Sequence, residues 1–155
     1  RNADQYTKTG ISDKIGQTEG TMYFEFIDSD YSFSSIARAL SISDGTYTNR
    51  IYIAQLSSGA MYCISSTGVE IQEANPGTRR GNIKVALGYK NNDYILYVNG
   101  LSVGDDTSSS VPACNQLYLG QEIGLAVNSL NKPYKEVKLY NTRLSNSELA
   151  TLTTI

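Results

Sequence analysis

The chain has 155 residues, 40% of them hydrophobic and 18% charged, which suits one globular domain with its own core and excludes a disordered chain. Thirteen basic against fifteen acidic residues leave a net charge of −2, and the longest basic run is Arg79-Arg80, so nucleic acid is not an expected partner. No run approaches the roughly 20 apolar residues of a membrane span, so membrane insertion is not expected either.

Residues 1–20 carry little pattern and read as a lead-in or an edge strand, ahead of a domain spanning 21–155. Because the chain starts at Arg1, without Met or a signal-peptide pattern, it reads as a piece of a longer polypeptide. Short alternating segments then recur between turn residues, the pattern of a β-sandwich or barrel. In Thr21–Asp28, Met22, Phe24 and Phe26 point one way and Tyr23 and Glu25 the other. Ser35–Ser43 is a second strand, followed by Asp44-Gly45, which suits a tight hairpin. Asn49–Gln55 places Ile51 and Ile53 opposite Arg50 and Tyr52, and Ala60–Ser65 and Val69–Glu73 follow. Asn75-Pro76-Gly77 breaks the pattern. Asn82–Lys90 sets Ile83, Val85, Leu87 and Tyr89 against Lys84, Ala86 and Gly88; Tyr94–Asn99 returns with Leu96 and Val98 on one face. Asn99-Gly100 is a tight turn into Leu101–Val103, and Gly104–Pro112 reads as loop. Gln116–Leu119 and Tyr134–Tyr140 are the last strands, the latter with Val137 and Leu139 inward. Ser145, with Glu148 three residues on, opens a helix through a capping box; Leu149 and Leu152 would pack it onto the sandwich.

Two stretches resemble a known pattern: "IKVALGYKNNDYILYVNG" from Ile83 to Gly100 and "YKEVKLYNTRLSNSELATL" from Tyr134 to Leu152. The first resembles the central hairpin of laminin G-like domains, in the concanavalin A-like lectin/glucanase superfamily. The second is similar to the closing strand and short helix of such domains, especially those of bacteriophage and prophage tail proteins. The opening "EGTMYFEF" fits the first sandwich strand of the same group. The resemblance implies an all-β fold, a two-sheet antiparallel jelly-roll with one short C-terminal helix and one concave sheet. It also implies frequent carbohydrate or protein binding.

The residues argue against catalysis. Without histidine there is no Ser-His-Asp or Cys-His arrangement. Hydrolytic members of the superfamily carry Glu-x-Asp-x-Glu on one concave strand, and no such run exists here. Glu70 and Glu73 are spaced to opposite strand faces, and Glu25 stands alone, so an enzyme is not expected; a glycosidase would need Glu25 or Glu70 in an unrecognised pair. No cofactor is expected. Calcium is the exception the resemblance admits, with Asp28, Asp30, Asp93, Asp105 and Asp106 as oxygen ligands and Asp28 and Asp30 as the preferred pair, although none forms a ligand loop of recognisable spacing and turn formation is the first reading of these residues. The two cysteines, Cys63 and Cys114, fit either two free thiols or a single bridge.

If Ile51, Ile53, Val85, Leu87, Leu96 and Val98 fill the interior, their neighbours face outward, on the sheet that is concave in the superfamily. This gives a candidate carbohydrate site of Arg50, Tyr52, Tyr62, Lys84, Tyr97 and Asn99, with Ala86 and Gly88 leaving room between the rings. A loop-tip site using Tyr31, Tyr47, Arg79 and Arg80 is the alternative. The functional expectation is a carbohydrate-recognition module, a receptor-binding part of a phage tail fibre or spike on a virion or cell surface, whose partner is a bacterial surface glycan or polysaccharide. The competing expectation is a structural or protein-interaction domain, within a homotrimer of the parent protein.

Overall fold

The computed structural model describes residues 5–29, 35–77, 79–123 and 129–155. They form β1 (Tyr6–Lys8), β2 (Glu19–Asp28), β3 (Ile36–Ser43), β4 (Arg50–Leu56), β5 (Met61–Ser65), β6 (Glu70–Gln72), β7 (Gly81–Lys90), β8 (Asp93–Val98), β9 (Leu101–Asp106), β10 (Gln116–Leu119), β11 (Tyr134–Tyr140) and α1 (Asn146–Thr153). Two antiparallel sheets result. One has six strands in the order β1-β10-β3-β4-β5-β6, the other five in the order β11-β2-β7-β8-β9.

Alternation decides which side chains lie between the sheets. Met22, Phe24 and Phe26 of β2 join Val85 and Leu87 of β7 and Leu96 and Val98 of β8. From the six-stranded sheet, Leu40, Ile42, Ile51, Ile53, Met61 and Cys63 meet them. Each large apolar side chain so buried contributes roughly 1.5–3 kcal/mol. Phe24 and Phe26 stack with centroids 5.7 Å apart. Ile15 is also in this core and β1 pairs with β10, so the lead-in residues from Tyr6 onward are built into the sandwich.

The turn chemistry holds at Asn99-Gly100, where both residues have positive φ and Val98 pairs with Leu101, as a two-residue hairpin of this sequence requires. It does not hold at Asp44-Gly45. Ser43 pairs with Arg50, so the connection is the longer loop Asp44–Asn49. There the Asp44 carboxylate accepts from the Thr46 amide at 2.8 Å, the Thr46 hydroxyl at 2.6 Å and Asn49 Nδ2 at 2.8 Å, stabilising an open loop. The strand after Asn99-Gly100 also runs further than its polar sequence suggested, to Asp106.

Cys63 and Cys114 are both free and buried. Burial pushes both thiols up, that of Cys114 to about 12, so they pack as small hydrophobes and are not nucleophiles. No helix among the described residues is long and apolar enough to cross a membrane.

Candidate functional site

The two sheets have very different outer faces. On the five-stranded sheet, α1 lies against β7, β8 and β9. Its N-terminus carries the capping box: Ser145 Oγ accepts from the Glu148 amide, and the Glu148 carboxylate accepts from the Ser145 amide at 2.8 Å. The buried Leu149 packs into a second cluster with Tyr23, Ala86, Ile95 and Tyr97. Gly88 is part of this fit, because a Cβ there would meet Leu149 Cδ1 at 3.0 Å. The helix is tied down at both ends. Arg143 Nη2 donates to Asp93 Oδ1 at 2.8 Å, Lys84 Nζ donates to the Thr154 carbonyl at 2.8 Å, and the Gly100 amide donates to Thr153 Oγ1 at 3.0 Å.

This arrangement divides the six residues expected to form one glycan surface. Lys84, Tyr97 and Asn99 belong to β7, β8 and the turn after β8, on the five-stranded sheet. Tyr97 is 8% exposed beneath α1, Lys84 caps the helix C-terminus, and Asn99 Oδ1 accepts from the Lys84 amide at 2.8 Å. The room left by Ala86 and Gly88 is filled by Leu149. Arg50, Tyr52 and Tyr62 belong to β4 and β5 of the six-stranded sheet, so the single surface expected from alternation is two surfaces on opposite sides of the sandwich.

The outer face of the six-stranded sheet holds a charged centre. Glu122 is 1% exposed, and its carboxylate lies between two guanidinium groups, 2.5 Å from Arg38 Nε and 2.5 Å from Arg50 Nη1. Two cations against one carboxylate leave one net positive charge. The Arg50 guanidinium stands 4.8 Å from the Tyr47 ring centroid and 5.5 Å from that of Tyr52; the Arg38 guanidinium is 5.8 Å from Tyr52. Burial raises the Tyr52 phenol above its ordinary range, so it stays neutral. Tyr118, Ser41 and Tyr52 form one cross-strand row in this face. Among the described residues, Ser41 Oγ and Arg50 Nε have no hydrogen-bond partner, and both atoms are themselves buried.

Arg38 and Glu122 were missed in the sequence for definite reasons. Strict alternation from Leu40 and Ile42 would turn Arg38 into the core. A β-bulge in β3 prevents this: Arg38 pairs with Ala54 and Leu40 with Ile53, leaving Ala39 as the extra residue. Ala37 and Ala39 both enter the core and Arg38 faces out. The Ala39 carbonyl is anchored by Tyr134 Oη at 2.6 Å and the Gly120 amide at 2.9 Å. The second of these bonds extends β10 along β3 and brings Glu122 across to the two arginines. A lone arginine in the apolar run Ile36–Ser43 was the available signal for Arg38. Glu122 lies outside any strand and offered none.

The remaining expectations divide similarly. Tyr47, a loop-tip candidate, joins the charged centre. Arg79 binds the buried carboxylate of Glu73 instead. Tyr31 and Asp30 lie outside the described residues. Asp28, the other preferred calcium ligand, is buried and fits a different cation: Lys132 Nζ stands 2.9 Å from Oδ1, and Gln55 Nε2 donates to Oδ2 at 2.8 Å. Asp93 pairs with Arg143 and Asp106 accepts from Ser108. Among the described residues no three metal-ligating side chains come together. Glu25 and Glu70 sit on different sheets, Glu25 with Lys135 and Glu70 with Tyr62, so they do not pair across one sugar bond.

No protein-family model and no curated protein matches the sequence. Solved structures do match the fold. The CBM40 module of the Ruminococcus gnavus IT-sialidase, bound to α2,3-sialyllactose, superimposes with a TM-score of 0.75 at 18% identity, over 97% of this chain and 98% of that one. A leech intramolecular trans-sialidase gives 0.73 at 15% identity, over 98% of this chain and 28% of that one. Mouse laminin α1 domains LG4-5 give 0.70 at 12% identity, over 94% of this chain and 41% of that one. The chain therefore has the concanavalin A-like jelly-roll fold that its laminin G-like hairpin and closing segment implied.

Proposed function

We propose that this protein is a non-catalytic carbohydrate-binding module that takes an acidic sugar on the outer face of its six-stranded sheet. The observation that carries the reading is the Arg38–Glu122–Arg50 centre, flanked by Tyr47 and Tyr52. Two guanidinium groups fixed by a buried carboxylate present preorganised N–H donors to a sugar carboxylate, with one net positive charge in their favour. The exposed parts of both guanidinium groups can also donate to sugar hydroxyls, and the exposed Tyr47 ring offers an apolar face to the C–H side of the sugar. The fold shared with a CBM40 module that holds α2,3-sialyllactose supports a sialic acid-type sugar. The finer assignment, a receptor-binding part of a phage tail docking onto bacterial surface glycan, is supported by the "VKLYNTRLSNSEL" ending.

Calorimetric titration with 3′-sialyllactose, and with lactose as the neutral control, tests the reading. Binding of the first and not the second, lost in Arg50→Ala, is the expected result. Equal response to both sugars, or none to 3′-sialyllactose and other acidic glycans, overturns it in favour of a structural or protein-interaction domain.

A further inference from the structure

Beyond the charged centre, the same outer face continues across β5 and β6, and its chemistry changes there. Arg38, Ala54, Tyr62 and Gln72 form one cross-strand row, and Tyr52, Ile64 and Glu70 form the next. Ala54 is fully buried between Arg38 and Tyr62, so the larger side chains close over it into a continuous surface. Tyr62 is half-buried, with its ring centroid 6.5 Å from that of Tyr52. Its hydroxyl donates to Glu70 Oε1 at 2.9 Å, which fixes the ring, and burial together with this bond keeps the phenol protonated. Two strand spacings separate Arg38 from Tyr62, about 10 Å. One pyranose held on the arginines does not reach that far, but the next sugar of the same glycan does.

We infer that Tyr62 and Glu70 form a second subsite, for a neutral hexose joined to the acidic sugar, and that this pair rejects a second acidic sugar. The inference rests on the reading of the Arg38–Glu122–Arg50 centre as the acidic-sugar site. Tyr62 supplies a fixed aromatic face for a hexose ring. The exposed Glu70 carboxylate accepts hydrogen bonds from its hydroxyls and repels a carboxylate placed beside it. The face is thus polar along its length, positive at the arginines and negative at Glu70, which sets the direction in which the glycan lies. The specificity follows from repulsion as much as from contact.

The test compares three sugars: methyl α-sialoside, 3′-sialyllactose and α2,8-linked disialic acid. The wild-type protein is expected to bind 3′-sialyllactose about tenfold more tightly than the monosaccharide, the scale of one well-placed aromatic contact. Tyr62→Ala removes that advantage and leaves the monosaccharide affinity unchanged. Glu70→Lys, a surface change that leaves the core intact, raises affinity for disialic acid relative to 3′-sialyllactose. If 3′-sialyllactose and the monosaccharide bind equally and neither variant alters the ratios, the second subsite is refuted while the acidic-sugar site stands. If the wild-type protein binds none of the three, the acidic-sugar reading falls and the second subsite with it.

Discussion

The two outer faces of this sandwich are built from similar residues and end in opposite states. Both carry tyrosines and a basic side chain on adjacent strands. On the five-stranded sheet, Tyr23 and Tyr97 are 2% and 8% exposed under α1, and Lys84 is spent on the helix C-terminus. On the six-stranded sheet no helix among the described residues covers the face, and Arg38 and Arg50, whose side chains are 17% and 21% exposed, hold the Glu122 carboxylate between them. An outward tyrosine is therefore not in itself a sign of binding. It is structural where a later segment packs on it, and equally closed where neighbours on its own face pack over it, as for Tyr52 at 5% exposed; the six-stranded face differs in carrying the 47% exposed Tyr47 beside its charged centre.

Substitutions can break or sharpen this contrast. The largest effect is expected from Glu122→Ala, which strands two mostly buried guanidinium groups and should cost about 3–5 kcal/mol in chemical denaturation as well as abolish glycan binding. A variant that retains full stability would mean that water already solvates the two arginines. Tyr97→Ala comes next, at about 3 kcal/mol from loss of packing under α1, with glycan affinity of the folded protein unchanged. Loss of affinity without loss of stability would erase the distinction between the faces. Arg50→Lys keeps the charge but loses the planar fork over Tyr47 and Tyr52, so titration should show about tenfold weaker binding of 3′-sialyllactose at near-native stability. Ser145→Ala removes the helix cap and should lower stability by about 1 kcal/mol without touching binding.

The smallest effect is linked to pH. The hydrogen bond from the Ser145 side chain, followed by that from its amide, holds the exposed Glu148 carboxyl below its ordinary value of 4.5. Its pKa is lower in the folded than in the unfolded chain, so the contribution is complete above 4.5 and is lost as pH falls through the folded value. The thermal midpoint of the native protein should drop slightly more on acidification than that of Glu148→Gln, and parallel curves would show that the capping box is not formed in solution.

Much of the strand pattern was legible because alternation is local. Met22, Phe24 and Phe26, or Ile51 and Ile53, declare which side of their strand meets the core, and the sandwich buries those sides. The capping box at Ser145 and the Asn99-Gly100 turn were equally readable, since both depend on residues within a few positions of each other. The site was only partly legible. Arg50, Tyr52 and Tyr62 were placed outward, as they are, but alternation does not say to which sheet a strand belongs, and so Lys84, Tyr97 and Asn99 were grouped with them.

The sequence by itself determined the inward and outward side of most strands, the end of the chain as a capped helix, and the absence of histidine chemistry. Tertiary structure decided the rest. Strand order split one expected surface into two, the packing of Leu149 closed one of them, and the bulge at Ala39 turned Arg38 outward to meet Glu122. The physical reason is range: hydrophobic periodicity records a residue's relation to the core, whereas cover and charge pairing on an outer face depend on segments distant in the chain, here Glu122 lying 84 positions from Arg38.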